Sequence, residues 1–286
     1  MTIKSEVPMI QIIIDSSSDY TMEEIKEKNL TLVPLTVTID GTSYIDGINL
    51  ERDEFYERLK TCQEIPKTSQ PSPEAFLKVF ENAKANNDDV ICILLSSALS
   101  GTCQSAHLAK NMADYDRIHI IDSLSVASGL KLMADYALDL IADGCSVEEI
   151  VNKVEHMKSR VRIFAALDTL EYLYKGGRLS KSSAAIGTLA RLKPIITINE
   201  EGKIEVVGKA IGKQKAISGL LSQLEKYAPD EHFPFTTLYT HDVDNCEKLE
   251  EKLLKNGIHT EYRTSIGAAI GTHAGPGAFG IVYVSK

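Results

Sequence analysis

The segment Met9-Ile10-Gln11-Ile12-Ile13-Ile14-Asp15-Ser16-Ser17-Ser18-Asp19 indicates the fold of the N-terminal half. Its first six residues are nearly all apolar. A short apolar run that ends abruptly in polar residues is typical of a strand buried on both faces of a parallel sheet. The hydroxyl-rich residues 15–19 then form the loop at the carboxyl end of that strand. Thr21 and Glu24 follow at the spacing of a capping box, which predicts a helix from Thr21 to Asn29.

Strands and helices alternate along the rest of this half. Strands are predicted at 32–39, 90–95 and 118–121, and helices at 50–61, 74–85, 101–113, 128–143 and 146–160. Asp40-Gly41 predicts a turn that brings residues 43–45 back as a hairpin partner. Residues 67–73 are predicted to be a polar loop, with Pro73 in the first turn of the next helix. This alternation predicts an α/β domain built on a parallel sheet.

The second half follows a different rhythm. Strands are predicted at 161–166, 194–199, 203–207, 235–240, 258–263 and 280–284, and helices at 168–174, 179–191, 212–227 and 243–256. Hairpin-like turns such as residues 199–202 join some of these strands, which favours a separate α/β or α+β domain. The 286 residues suit two domains, which we place at 1–160 and 161–286, with a cleft between them.

The composition excludes several classes of function. The net charge of -9 repels nucleic acid. The sequence contains neither a signal peptide nor an apolar stretch of the ~20 residues that cross a bilayer, so we expect a cytoplasmic protein without a membrane span. The five cysteines are scattered and predict neither disulfides nor a metal site. We therefore expect no metal and no cofactor.

Hydroxyl-rich loops mark the predicted carboxyl edge of the parallel sheet. They are residues 15–19, 96–102 and 122–125, to which we add the loop at 68–72. Ligands of open parallel sheets bind at this edge, and hydroxyls together with free N–H groups at a helix start can donate hydrogen bonds to an anion. The same serines and threonines could instead only cap helices. Because the pattern recurs at one edge, we predict an oxyanion site.

Two glycine-rich segments add candidate residues. His273 is set among five glycines in residues 266–280, where small residues leave it few packing partners, so we predict a ligand contact. In Lys175-Gly176-Gly177-Arg178, the arginine could pair with a carboxylate or phosphate. It could equally be a solvated side chain after a glycine-terminated helix.

Four of these motifs together resemble the DegV family. They are Thr68-Ser69-Gln70-Pro71-Ser72, the Ser96-Ser97-x-x-Ser100-Gly101-Thr102 run, Lys175-Gly176-Gly177-Arg178 and Gly271-x-His273-x-Gly275-Pro276-Gly277-Ala278. Their order and spacing fit the family from Ile12 to the C-terminus. The family is similar to the fatty-acid-binding subunits of bacterial fatty acid kinase, which hold one acyl chain in a tunnel between two domains.

The resemblance implies a binding subunit without catalytic residues. Its ligand would be one long-chain fatty acid, for example palmitate, stearate or oleate. A separate ATP-dependent fatty acid kinase would make the acyl phosphate for phospholipid synthesis. The ligand-binding residues implied are Thr68, Ser69, Ser96, Ser97, Ser100, Gly101, Thr102, His273 and Gly275, and Arg178 would lie near the transfer site or the kinase contact. Ile211 stands where kinase-linked members carry a basic residue.

Two other functions remain open at this point. A serine of residues 96–100 could act as a nucleophile with His273 as base, giving a hydrolase or acyltransferase, although the G-x-S-x-G elbow is missing. The loops could also bind another small anion, although phosphate sites usually carry more Lys and Arg. A fatty acid is compatible with the net negative charge of the protein, because its hydrocarbon supplies most of the binding free energy. Burying ~15 methylenes contributes about 12 kcal/mol before association costs.

Overall fold

The computed structural model describes residues 9–179 and 192–286, which form an α/β structure with a four-stranded parallel sheet, a six-stranded mixed sheet and a small three-stranded antiparallel sheet. The strands are β1 (Ile10–Asp15), β2 (Thr31–Val33), β3 (Thr36–Ile39), β4 (Thr42–Ile45), β5 (Lys67–Ser69), β6 (Asp89–Leu94), β7 (Ile118–Asp122), β8 (Val161–Ala166), β9 (Leu192–Ile198), β10 (Ile204–Ile211), β11 (Thr236–Tyr239), β12 (Tyr262–Ser265) and β13 (Phe279–Val284). The helices are α1 (Met22–Glu27), α2 (Arg52–Thr61), α3 (Pro73–Asn86), α4 (Thr102–Ala113), α5 (Ser128–Ala142), α6 (Val147–Lys158), α7 (Glu171–Lys175), α8 (Lys213–Lys226), α9 (Asp244–Lys255) and α10 (Ala268–Ala274).

The N-terminal half is built on a four-stranded parallel sheet in the order β2-β1-β6-β7. The apolar run predicted to be a buried strand is β1, and Ile12, Ile13 and Ile14 are at most 1% exposed. Thr21 and Glu24 form the predicted capping box at the start of α1. The loops after β1, β6 and β7 share the carboxyl edge of the sheet because all three strands are parallel. The predicted α/β class and the shared edge are therefore confirmed.

The C-terminal half contains a six-stranded mixed sheet in the order β10-β9-β8-β13-β11-β12. The predicted turn at residues 199–202 joins β9 to β10 as an antiparallel hairpin. Within the described chain β10 has β9 as its only strand neighbour, so it is an edge strand. The predicted helix 179–191 lies outside the described residues except for Leu179.

Two local predictions were wrong, and one helix was not predicted. Residues 32–39 form two strands rather than one, because Pro34 lacks the N–H that a continuous ladder needs. The predicted loop 67–73 begins with β5, which pairs antiparallel with β3. The glycine-rich stretch around His273 contains the helix α10. Gly271 lets this helix approach α2, since a Cβ at Gly271 would lie 2.6 Å from the hydroxyl of Tyr56.

One apolar core connects the parallel sheet and the mixed sheet. Helix α5 packs against β1 and β6 of the parallel sheet and also against β8 and β13 of the mixed sheet. Buried residues such as Ile91, Met133 and Val282 belong to the same cluster. The domain boundary at 160 and 161 stays a prediction. The shared core places the carboxyl edge of the parallel sheet opposite the mixed sheet.

Candidate functional site

An apolar cavity lies between the carboxyl edge of the parallel sheet and the mixed sheet. It contains about 870 Å³ of empty space, including the part that opens to solvent. Its walls come from both halves: Leu35, Leu95, Leu99, Val126 and Ala127 on one side, and Ile163, Ala165, Leu167, Leu173, Ile196, Ile198, Ile204, Leu238, Ile266, Ala269, Ile270, Ala274 and Ala278 on the other. Such a space suits a ligand that is mostly hydrocarbon.

Three polar residues gather at one end of the cavity, and we call Thr68, Arg178 and His273 the polar end. Thr68 is on β5, His273 is near the end of α10, and Arg178 follows α7. The Thr68 hydroxyl oxygen lies 2.8 Å from Nε2 of His273. The Arg178 guanidinium donates through Nε to the carbonyl oxygen of Leu99 at 3.1 Å and through Nη1 to that of Gly176 at 2.6 Å. These bonds fix a cation beside a hydroxyl and an imidazole.

The His273 imidazole is neutral at physiological pH. Burial and the nearby Arg178 lower its pKa from 6.5 to about 4. Nδ1 is buried without a hydrogen-bond partner among the described residues, and it faces Gly176 so closely that a Cβ there would lie 2.2 Å away. An N–H at this position would be a buried donor without an acceptor, so we assign the proton to Nε2. Nε2–H then donates to Thr68, and the Thr68 O–H is available for a ligand.

The polar end is also reached from outside. A second depression on the surface is lined by Thr68, Arg178 and His273 together with Glu64, Lys67, Glu171 and Lys175. The same three residues thus belong to the apolar cavity and to this outer depression. A ligand with its chain in the cavity would present its polar group at the boundary between the two.

The other predicted site residues differ in position. Ser100 lines the cavity, and its hydroxyl lies 2.9 Å from that of Thr102. Gly101 lies at the start of α4, where a Cβ would collide with the amide of Gln70. Ser69 is exposed at the end of β5. Gly275 has a φ of +72° and packs against the ring of Tyr172. Of this group, Ser100 is the one with a place in the cavity wall.

Neither Ser96 nor Ser97 lines the cavity or the outer depression. Ser96 is fully buried, and its hydroxyl donates to the carbonyl oxygen of Gly202 at 2.8 Å. Gly202 belongs to the turn between β9 and β10, so this bond connects the two halves of the protein. Ser97 is exposed, and its backbone N–H donates to Asp122.

The sequence indicates residues 15–19 as a possible anion site, but the polar groups of this loop bond to other parts of the protein. The buried Asp15 accepts hydrogen bonds from the backbone N–H groups of Ser17 and Leu95 and from the Ser17 hydroxyl. Burial raises the pKa of Asp15, and these three bonds oppose that rise. The loop therefore joins the ends of β1 and β6 and supports the cavity indirectly.

Two buried carboxylates hold the start of α10, and sequence reasoning missed both. Asp19 accepts from the N–H of Gly267 at 2.7 Å, and Asp46 accepts from that of Ala268 at 3.1 Å. The pKa of Asp19 is raised to about 7 and that of Asp46 to about 6. Burial causes both rises, and the positive charge of the nearby Arg52 limits them. The sequence signal for Asp19 was its position in the loop after β1. These acids anchor the helix that carries His273.

Other chemistries find less support among the residues described. His273 pairs with Thr68 and not with a serine of residues 96–100, as a serine nucleophile would require. No group of three or more His, Cys, Asp or Glu residues in the described ranges could hold a metal ion. No helix within those ranges combines the length and the apolar character needed to cross a membrane.

Comparisons with known proteins cover nearly the whole chain. A sequence model described as "Uncharacterised protein, DegV family" matches residues 9–286. A DegV domain-containing protein of Caldanaerobacter subterraneus is 38% identical over 279 residues, which is 97% of this chain and 99% of the relative. The solved structure of a DegV family protein from Thermus thermophilus, described by its fatty acid binding, has a TM-score of 0.88 at 30% identity and covers 97% of this chain and 100% of that one. A stearic acid-binding protein from Eubacterium ventriosum has a TM-score of 0.88 at 28% identity, with 97% and 99% covered.

Proposed function

Because the chain belongs to the DegV family, we propose that it binds one long-chain fatty acid. The acyl chain lies in the apolar cavity, and the carboxylate lies at the polar end formed by Thr68, Arg178 and His273. The observation that carries this proposal is that the polar end sits where the cavity meets the outer depression. The two fatty-acid-binding relatives in the comparison support the same ligand class.

The carboxylate is bound by local donors rather than by the net charge of the protein. Thr68 donates its hydroxyl proton, which the neutral His273 leaves available by donating to the Thr68 oxygen. The Arg178 guanidinium supplies positive charge, and Ser100 adds a second hydroxyl in the cavity wall. Charge-assisted hydrogen bonds of this kind are the stronger ones in a partly buried site. Ser69, Ser96, Gly101, Thr102 and Gly275 belong to the surrounding loops in this proposal, and the exposed side chain of Ser97 has no part in it.

The protein is a carrier in this proposal, and a separate ATP-dependent kinase supplies any phosphoryl transfer. A carboxylate oxygen at the polar end attacks the γ-phosphorus of ATP, which gives an acyl phosphate for phospholipid synthesis and releases ADP. The outer depression, with Lys67 and Lys175 at its wall, gives such a partner access to the carboxylate. Ile211 is 62% exposed at the end of β10, where it offers an apolar rather than a basic contact.

The test is extraction of the purified, undenatured protein with organic solvent, followed by mass spectrometry of the extract against moles of protein. We expect close to one fatty acid per chain. His273→Ala removes the partner that orients Thr68 and should lower retention by roughly tenfold, since a hydrogen bond to a charged group contributes about 1.5–3 kcal/mol. His259→Ala, at an exposed histidine, is the matched control.

The outcomes separate the candidate functions. An empty extract from a protein that also refuses added fatty acid would exclude the carrier and favour a small-anion ligand. Covalent labelling by a fluorophosphonate would instead support the serine hydrolase. Equal retention of fatty acid in His273→Ala and His259→Ala would show that the carboxylate does not bind at the polar end.

A further inference from the structure

The far end of the cavity lies under the hairpin of β9 and β10. The polar end is near the carboxyl end of β8, because Leu167 and α7 follow that strand and lead to Arg178. Along β8 the cavity wall continues from Leu167 through Ala165 to Ile163. Four residues of extended chain span ~13 Å, so Ile163 lies about that far along β8 from Leu167, and we take this part of the wall as the far end of the cavity.

Three isoleucines form a row across the sheet at this far end. Ala165 pairs with Ile196, and the same antiparallel register places Ile198 opposite Ile163. The Thr197 hydroxyl donates to the carbonyl oxygen of Ile163 at 2.8 Å, which supports that register. Ile204 pairs with Ile198 on the other strand of the hairpin. Ile163, Ile198 and Ile204 all line the cavity, and their branched side chains have few rotamers.

The turn of this hairpin is fixed to the opposite half of the protein. The Ser96 hydroxyl donates to the carbonyl oxygen of Gly202 at 2.8 Å, and we call this bond the clasp. Gly202 has a φ of +74°, and a Cβ there would lie 2.2 Å from the Ser96 hydroxyl oxygen. Ile198 and Ile204 lie on either side of the turn. The clasp therefore sets how closely these two side chains approach the edge of the parallel sheet.

We infer that the hairpin determines the length of the acyl chain that the protein accepts. Ile198 and Ile204 stop the methyl end of the chain, and Ser96 is a positioning residue that holds the turn through Gly202. The inference rests on the proposed fatty acid ligand and adds to it the residues that select among fatty acids. A cavity closed by stiff side chains on a fixed turn discriminates length better than one closed by mobile ones.

The size of the effect follows from the carbon atoms that each substitution removes. Ile→Ala deletes three carbons, which leaves space for about two further methylenes of the ligand. Each buried methylene changes binding about fourfold, so the preference for an acid two carbons longer than the wild-type optimum should rise roughly fifteenfold. Ile204→Phe fills space and should shift the optimum toward shorter acids.

The experiment offers delipidated full-length protein an equimolar mixture of straight-chain saturated fatty acids from 12 to 20 carbons. The bound acids are then extracted and quantified by mass spectrometry. The test variants are Ile198→Ala, Ile204→Ala and Ile204→Phe. Val206→Ala is the matched control, because Val206 is partly buried on the same face of β10 but lies outside the cavity wall. Ser96→Ala is compared with Ser97→Ala at the exposed neighbouring serine.

We expect longer optima for both alanine variants, a shorter one for Ile204→Phe and an unchanged profile for Val206→Ala. Ser96→Ala should lower several-fold the ratio between the amounts of the most and the least bound acid. Ser97→Ala should leave this ratio unchanged. The inference would be overturned if all hairpin variants bind a normal amount of fatty acid and prefer the same chain lengths as the wild type. A wild-type protein that takes up no acid from the mixture would instead overturn the proposed function itself.

Discussion

Asp19→Asn should change how the stability of the protein depends on pH. Asp19 is 2% exposed, and one of its carboxylate oxygens has no hydrogen-bond partner among the described residues. The other oxygen accepts from the N–H of Gly267, a bond that asparagine can keep through its amide oxygen. The backbone φ of 58° at Asp19 also suits asparagine. The substitution therefore removes the charge and keeps the bond to Gly267 and the backbone conformation.

The direction follows from the raised pKa of Asp19. Burial, helped by Asp46 and opposed by Arg52, Gly267 and Lys131, moves this pKa from 3.8 to about 7. Between these two values the folded protein holds a proton that the unfolded chain has lost, so the free energy of unfolding falls as the pH rises. From pH 5 to the folded pKa this amounts to about 3 kcal/mol. Asp19→Asn should remove that loss. The free energy of unfolding of the variant should therefore rise relative to that of the wild type by about 3 kcal/mol between pH 5 and pH 8.

The assay is urea unfolding of delipidated protein followed by circular dichroism at pH 5 and pH 8. The quantity compared is the difference in unfolding free energy between variant and wild type, so that other titrating groups cancel. Asp114→Asn is the control, since Asp114 also has a left-handed backbone, with φ 48°, but is exposed. The reasoning would be refuted by a difference that is the same at both pH values for Asp19→Asn.

Three further substitutions test other parts of the structure. Gly176→Ala should push the His273 ring off Thr68, because the new Cβ would lie 2.2 Å from Nδ1; retained fatty acid should fall several-fold with an unchanged circular dichroism spectrum. Ala127→Gly should raise the free energy of unfolding by about 1 kcal/mol, since φ 54° and ψ -137° strain any residue with a Cβ. Phe80→Ala should lower it by about 3–5 kcal/mol, because Phe80 is fully buried; a smaller loss in urea unfolding would mean that the core relaxes.

Much of the fold could be predicted because its signals are local. Apolar runs such as residues 10–14 and the capping box at Thr21 depend on neighbouring residues alone. The break at Pro34 was also readable, since proline cannot donate to a ladder, but the apolar run on both sides concealed it. Strand β5 could not be predicted in this way. Its polar residues become a strand only through pairing with β3, more than twenty residues away.

The candidate site was predictable as a set of residues and not as an arrangement. Thr68 and His273 were both singled out, yet they lie 205 positions apart and only the fold brings them within 2.8 Å. Ser96 also has a hydroxyl group, but this hydroxyl donates to the carbonyl oxygen of Gly202 and does not face the cavity. The two carboxylates that anchor α10 were missed because acids are normally exposed, and burial depends on the packing of distant segments.

The helix α5, which packs on both sheets, determines how the chain can be divided. If the chain is cut after residue 160, the N-terminal fragment keeps α5 but loses β8 and β13, which cover one side of it. Each fragment would then expose apolar surface that the intact chain buries, and such surface promotes aggregation. The halves should be poorly soluble when expressed alone. Amides of β1 and β13 should exchange with deuterium through a common opening of the intact protein, as expected for a single foldon.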